Sequence, residues 1–159
     1  MKYEIAKKIG ESILSTLQPY IEKGVIAGSI RRHKAEVKDI DLIIIPKREF
    51  MVMENIKTIL NSYGKINMEG NLIIRAEGEN ELKIDCYIAN HRNYEILLLI
   101  RTGSKAHNIK LAQLALSQGK QLKFSEGLID KETKRLLSKT EKGVFENLGL
   151  PYLEPKDRD

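Results

Sequence analysis

Apolar residues recur at helical spacing near the start of the chain. Every fourth position in this segment is apolar, namely Ile5, Ile9, Ile13 and Leu17. Residues four apart lie on one face of an α-helix, and a following proline ends such a pattern. With Pro19 as the stop, the spacing predicts an amphipathic helix over residues 2–18. A similar pattern predicts a second helix over residues 49–62.

Four short apolar runs, each bounded by turn-forming or charged residues, predict β-strands. They span residues 25–27, 39–45, 71–75 and 81–89. The run 39–45 is the most apolar of the four, so it is expected to be a buried strand. Strands interleaved with helices in this way predict an α+β fold with a mixed β-sheet.

After residue 98 the pattern becomes mainly helical. Its predicted elements are a helix capped near Thr102 or Ser104 and ended by Gly119, a hairpin over residues 121–129, and a short helix that begins at Thr140. We therefore predict a first domain over residues 1–98 and a smaller, mainly helical one over residues 99–159.

The charge balance adds a hint about partners. The 159 residues include 27 Lys and Arg against 22 Asp and Glu, a net charge of +5 and a pI near 9.2. Such an excess suits a polyanionic partner such as nucleic acid. Charge alone fits a soluble protein that happens to be basic equally well. The single cysteine, Cys86, excludes an intrachain disulfide.

The N-terminal residues lack the continuous apolar region of a signal peptide, and no apolar run reaches the ~20 residues of a membrane span. We expect an intracellular, cytoplasmic protein of prokaryotic or viral origin, with no membrane partner.

Two aspartates open the buried strand predicted over residues 39–45. Asp39 and Asp41 are two positions apart, so their side chains point to the same face. A third carboxylate, Asp85, lies in the apolar run 81–89. If the two strands are neighbours, the three carboxylates can hold two Mg²⁺ ions about 4 Å apart, an arrangement that serves phosphoryl or nucleotidyl transfer.

A glycine-containing turn precedes these aspartates. Gly28 and Ser29 follow the run 25–27 and lead into a predicted helix start at Ile30. Backbone N–H groups at a helix start can bind phosphate, and an arginine such as Arg32 can add bidentate contacts. Gly-Ser turns and surface D-x-D pairs are each common, but their combination with a strand aspartate favours a nucleotide site.

Three motifs, in this order, resemble those of the family X DNA polymerases of the nucleotidyltransferase superfamily. The first is the segment 28–41; the second is RTGSKAHNIKLAQLALSQGKQL and the third is TEKGVFENLGLPYLEPKDR. The resemblance implies a nucleotidyltransferase-type palm over residues 1–98, with helices on one face of its sheet, and a thumb subdomain over residues 99–159.

The resemblance also implies roles for individual residues. Asp39, Asp41 and Asp85 resemble the catalytic, metal-binding carboxylates, with Mg²⁺ as cofactor and Mn²⁺ as a substitute. The residues that resemble nucleotide-binding positions are Gly28, Ser29, Arg32, Gly103, Ser104 and Asn108. We expect Lys105, Lys110, Lys120 and Lys123 to contact the backbone of duplex DNA, and His107 to lie at the surface.

Some positions depart from the family pattern. Relatives often carry two aromatic residues before T-G-S, where this chain has Ile100 and Arg101, so the choice between deoxyribo- and ribonucleotides is open. Only about twenty residues precede the strand that leads to Gly28, so no lyase domain is expected.

The expected activity is template-directed addition of nucleotides to a primer 3′-OH, by a monomer that fills short DNA gaps during repair. The alternatives are a small nucleotidyltransferase that acts on RNA or protein, and a non-catalytic nucleic-acid-binding module.

Overall fold

The computed structural model describes all residues from Met1 to Asp159 and divides into two units, Met1–Asn90 and His91–Asp159. The α-helices and β-strands of the first unit follow in the order α1 (Tyr3–Leu17), β1 (Ile21–Ile26), α2 (Gly28–Arg31), β2 (Asp39–Pro46), α3 (Val52–Tyr63), β3 (Lys65–Glu69), β4 (Ile73–Glu77) and β5 (Lys83–Ile88). The strands form one sheet in the order β1-β2-β5-β4-β3. Strands β2 and β5 run parallel, and the other neighbours are antiparallel.

The core of the first unit lies on one face of this sheet. Alternate residues of the central strands, such as Ile40 and Leu42 of β2 and Cys86 of β5, are fully buried there. The apolar faces of α1 and α3 cover them, for example with Ile13 and Ile56. Because strand residues alternate between faces, the odd-numbered residues of β2 and β5 lie on the opposite face.

The predicted strands and helices of this unit are largely confirmed, with shifted bounds and one strand that was not predicted. Strand β1 begins at Ile21 rather than at residue 25, and β3 was not predicted at all. Both lie at the edges of the sheet and contain no buried residue, so their polar residues hide the strand pattern. The second helix begins at Val52 rather than 49, after a left-handed Met51 with φ of 62°.

The second unit combines three helices with a small sheet. Its elements are α4 (Tyr94–Thr102), α5 (Lys105–Ser117), β6 (Lys120–Lys123), β7 (Gly127–Asp130), β8 (Leu136–Ser138) and α6 (Glu141–Asn147). The hairpin of β6 and β7 agrees with the sequence pattern, as do helices α5 and α6. Helix α4 and strand β8 were not predicted, since α4 is apolar over most of its length and β8 has three residues. The predicted α+β class is thus confirmed.

No helix of either unit combines the length and the apolarity that crossing a membrane requires.

A buried ion pair lies in the core of the second unit. The Arg158 side chain is fully buried, and its Nη1 donates to Oε2 of Glu141 at 2.8 Å. Its Nε donates to the backbone oxygen of Leu153 at 2.9 Å. The guanidinium carbon lies 5.2 Å and 5.3 Å from the ring centroids of Phe145 and Tyr152. This arrangement ties the segment after α6 to the start of that helix.

Replacing Arg158 with leucine is expected to destabilise the second unit strongly, because Glu141 would remain a buried carboxylate without its cation. The expected loss is about 3–5 kcal/mol in the free energy of unfolding. Urea denaturation followed by circular dichroism measures it. Lys156→Leu, at an exposed neighbouring position, is the control and is expected to change stability by less than about 0.5 kcal/mol. An equal loss in both variants would contradict the role of the ion pair.

Candidate active site

The three predicted carboxylates lie on one face of the parallel strand pair. In the register of β2 and β5, Asp41 is opposite Asp85 and Asp39 is opposite Lys83. Residues opposite each other in a sheet point to the same side, as do residues two apart in a strand. Asp39, Asp41 and Asp85 therefore share the face opposite the helix-covered core. The two strands are neighbours, which is the condition on which the sequence made the shared carboxylate site depend.

The aspartates also lie where the sheet becomes accessible. Asp39 and Asp41 are half-buried at the start of β2, whereas Leu42 to Ile45 are buried. Asp85 is only 8% exposed. The strand pair thus holds two carboxylates near solvent beside a third that is almost enclosed.

Gly28 lies directly against the Asp41 carboxylate. The Ala27 N–H donates to the Asp41 backbone oxygen at 2.8 Å, which joins the end of β1 to β2. Gly28 follows with φ of +61°, a left-handed conformation that favours glycine. A Cβ at this position would overlap the Asp41 side chain. Both the conformation and the space therefore require glycine here.

The predicted phosphate-binding residues continue from that glycine. Helix α2 begins at Gly28 rather than at Ile30 and is a single turn. Its Ser29 and Arg32 are half-buried, and the Arg32 N–H donates to the Gly28 oxygen at 3.2 Å. The turn thus brings Gly28 and its neighbours to the same end of the sheet as Asp41. Their binding of a triphosphate stays a prediction.

Arg75 is a residue of this site that sequence reasoning missed. It lies on β4, opposite Asp85 in the antiparallel register. Its Nε donates to Oδ1 of Asp85 at 2.6 Å and its Nη2 donates to Oδ2 at 3.0 Å. The hydrogen bonds and the charge of Asp85 raise the pKa of Arg75. The available signal was a single arginine, Arg75, in the otherwise apolar segment 73–76.

The three carboxylates suit a magnesium site because of their chemistry and because they lie on the same face of the sheet. Mg²⁺ prefers carboxylate oxygens, and three carboxylates share one face of the strand pair. In the structure, no three His, Cys, Asp or Glu side chains are close enough together to hold one ion. Both oxygens of Asp85 are instead hydrogen-bonded to Arg75. A bound metal ion would therefore either share Asp85 with Arg75 or displace Arg75 from Asp85.

The turn at Gly103 and Ser104 is held from two sides within the second unit. The Ser104 hydroxyl oxygen accepts a hydrogen bond from the His107 N–H at 3.2 Å, so Ser104, one of the two caps that the sequence offered for α5, is the one that serves. The Ser104 N–H donates to the Arg158 backbone oxygen at 3.0 Å. One turn further, Asn108 donates its side-chain amide to the Ile100 oxygen at 2.8 Å. The nucleotide-binding roles of these residues stay predictions.

The expectation that His107 lies at the surface was wrong. His107 is 6% exposed, its ring centroid lies 5.8 Å from that of Phe145, and its Nδ1 is buried without a hydrogen-bond partner. Burial lowers the pKa of His107, and the positive charges of Arg158 and Lys110 lower it further. The mixed polar and apolar pattern of α5 hid this orientation, although His107 lies at helical spacing from Leu111 and Ala115, the other buried residues of the helix.

The four lysines proposed as nucleic-acid contacts differ in their surroundings. Lys105 and Lys110 on α5 are exposed. Lys120 is half-buried and donates to the Asn147 backbone oxygen at 2.5 Å and to the Gln118 side chain at 3.1 Å. Lys123 lies 3.9 Å from Glu126. The lysines of α5 are therefore better placed for a phosphate contact than Lys120.

Comparison with known proteins finds similarity to DNA polymerases. Residues 97–159 match the family model described as DNA polymerase beta thumb. The chain is 28% identical over 162 aligned positions to the Bacillus subtilis DNA polymerase/3'-5' exonuclease PolX, covering 98% of this chain and 27% of that protein. It is 32% identical to rat DNA polymerase lambda over 92 positions, covering 52% of this chain and 16% of that one. The chain thus spans about a quarter or less of these relatives.

A second vertebrate relative and a solved structure agree with these matches. The Xenopus laevis DNA nucleotidylexotransferase is 32% identical over 95 positions, covering 57% of this chain and 19% of that protein. The crystal structure of Leishmania infantum polymerase beta, in a ternary P/T complex, superposes with a TM-score of 0.82 at 22% identity. That match covers 100% of this chain and 76% of the other, so the two share a fold.

Replacing Gly28 with alanine is expected to lower stability, because it combines backbone strain with an overlap at Asp41. Gly119 offers a matched control, since its φ is +70° and an added Cβ would meet nothing within 4 Å. Gly119→Ala is expected to cost about 1–2 kcal/mol from strain. Gly28→Ala is expected to cost at least about 1 kcal/mol more. Urea denaturation of both variants compares them, and equal losses would contradict close packing at Asp41.

The buried His107 is expected to make stability depend on pH. Its pKa in the folded state is below the ordinary 6.5, so the unfolded chain binds more protons as the pH falls through 6.5. The free energy of unfolding is therefore expected to decrease from pH 7.5 to pH 5.5. Thermal melts at several pH values should show a weaker decrease in His107→Phe. His33→Phe, at an exposed histidine, is the control and should keep the wild-type pH dependence. If His107→Phe also kept the wild-type pH dependence, His107 would not be its source.

Proposed function

Because the chain is a relative of the family X DNA polymerases, we propose that it is a template-directed DNA polymerase that extends a primer 3′-OH. The observation that carries this proposal is the register of β2 and β5, which gives Asp39, Asp41 and Asp85 one common face beside the Gly28 turn. The relatives' names, which include two DNA polymerases and a DNA nucleotidylexotransferase, support the same chemistry.

In the proposed reaction the primer 3′-oxygen attacks the α-phosphorus of a nucleoside triphosphate and pyrophosphate leaves. Asp39, Asp41 and Asp85 would hold two Mg²⁺ ions, for which Mn²⁺ can substitute. When bound, such ions lower the pKa of the attacking hydroxyl and offset the charge of the leaving pyrophosphate. Asp85, through its resemblance to the family's third carboxylate, is assigned to the side of the primer hydroxyl.

The nucleotide is assigned to two turns. In the first unit, Gly28, Ser29 and Arg32 would bind the triphosphate; the half-buried Ser29 and Arg32 follow a glycine whose conformation is fixed by its packing on Asp41. In the second unit, Gly103 and Ser104 would contact the sugar, with Asn108 one turn along α5. The hydrogen bonds that hold Ser104 and Asn108 support this assignment, because a held turn loses little entropy on binding.

The substrate we propose is duplex DNA with a short gap, bound by a monomer that acts in repair. Residues 1–98 would form the palm and residues 99–159 the thumb. Lys105 and Lys110, both exposed on α5, would contact the DNA backbone, whereas Lys120 and Lys123 would contribute less because each already interacts within the unit. The choice between deoxyribo- and ribonucleotides is left to experiment, because Ile100 and Arg101 occupy the positions where relatives often carry two aromatic residues.

The test is single-nucleotide extension of a primer on gapped duplex, with each dNTP and rNTP and with Mg²⁺ or Mn²⁺. Addition directed by the template base is expected for the wild type. In Asp41→Asn, the lost charge removes several kcal/mol of transition-state stabilisation, so the rate should fall about a hundredfold or more. Asp157→Asn, which removes one exposed carboxylate in the second unit, is the control and should retain the wild-type rate.

Other outcomes would point elsewhere. Extension that ignores the template base would indicate a nucleotidyltransferase with a different acceptor. Binding of nucleotide without any extension would indicate a non-catalytic nucleic-acid-binding module.

A further inference from the structure

The ion pair between Arg75 and Asp85 engages the enclosed carboxylate of the proposed metal site. Asp85 is 8% exposed, and each of its two side-chain oxygens accepts one hydrogen bond from the guanidinium. A planar fork that meets a carboxylate in this way fixes the rotation of the carboxylate as well as its charge. Arg75 therefore fixes the orientation of the Asp85 carboxylate.

The two partners differ in how firmly they are enclosed. The side chain of Asp85 is 11% exposed and that of Arg75 is 36% exposed. Arg75 lies on β4, one strand further from Asp39 and Asp41 than β5. Arg75 can thus move towards solvent, whereas Asp85 has little space to do so. Of the two partners, the Arg75 guanidinium, rather than the Asp85 carboxylate, is therefore the group that can move away.

We propose that Arg75 is a positioning residue that holds Asp85 in the metal-free state and competes with the divalent cation for it. This inference rests on the proposed two-metal function and adds a residue to it. The fork orients the almost enclosed carboxylate and pairs its charge, which a lone buried carboxylate would lack. The same positive charge opposes a cation at Asp85, so loading of the site requires Arg75 to share the carboxylate or withdraw.

Substitutions of Arg75 can separate the effect of its positive charge from the effect of its bidentate hydrogen bonds to Asp85. Arg75→Met removes both, so the cation should bind more tightly while Asp85 loses its orientation. Arg75→Lys keeps the charge but lacks the bidentate fork. Lys83→Met is the matched comparison: Lys83 is opposite Asp39 in the register and exposed, so its removal takes away one positive charge that solvent screens more strongly, without touching the Asp85 fork.

The first experiment measures Mn²⁺ binding without substrate, by titration followed with electron paramagnetic resonance. Relative to wild type, Arg75→Met is expected to bind Mn²⁺ about three- to tenfold more tightly, as removal of one nearby charge implies. Arg75→Lys should stay within about twofold of wild type, since the charge is kept. Lys83→Met should tighten binding less than Arg75→Met. Circular dichroism melts establish that each variant is folded.

The second experiment measures primer extension. Arg75→Met and Arg75→Lys should both lower kcat, because Asp85 is no longer held by the fork, with little change in the KM for nucleotide. Unchanged Mn²⁺ affinity in Arg75→Met, or an equal tightening in Lys83→Met, would overturn the competition. A wild-type kcat in both Arg75 variants would overturn the positioning role.

These outcomes also separate the inference from the proposed function. If the wild type binds Mn²⁺ and Asp41→Asn weakens that binding, the role of Arg75 at the site is tested even in a protein that extends no primer. In that case the polymerase proposal fails alone. If the wild type binds no Mn²⁺ at these aspartates, both the metal site and the role of Arg75 are refuted.

Discussion

The parallel pairing of β2 with β5 is the constraint on which the site depends. It sets Asp41 opposite Asp85 and, through the alternation of strand residues, adds Asp39 to the same face. A shift of this register by one residue would send Asp85 into the apolar core and bring Cys86 out. The fully buried residues on the other face, including Ile40, Leu42 and Cys86, oppose such a shift. The hydrophobic core therefore specifies the position of the charges.

Much of this arrangement could be predicted from the sequence because it depends on local periodicity. The shared face of Asp39 and Asp41 follows from their spacing, and the need for glycine at position 28 agrees with its place between a strand and a helix. The capping of α5 is equally local: the sequence offered Thr102 or Ser104, and Ser104 supplies the cap. Each of these features depends on a few neighbouring residues, and the structure confirms each one.

The features that escaped prediction depend on contacts between distant segments. Arg75 meets Asp85 only because β4 and β5 pair in one particular register, which no local pattern encodes. His107 is buried because Phe145 of another helix packs near it. The edge strand β3 has a mostly exposed, polar sequence that resembles a loop. Tertiary packing, rather than propensity, decided all three.

The buried pair of Glu141 and Arg158 has a consequence for the segment that lies between them. Residues 148–157 are held at one end by α6 and at the other by a side chain that is fully buried. Detaching this segment would separate the buried Glu141 carboxylate from the Arg158 guanidinium, which costs far more than the loss of exposed contacts. The irregular stretch after α6 therefore opens only together with the core of the second unit, although it contains no long helix or strand.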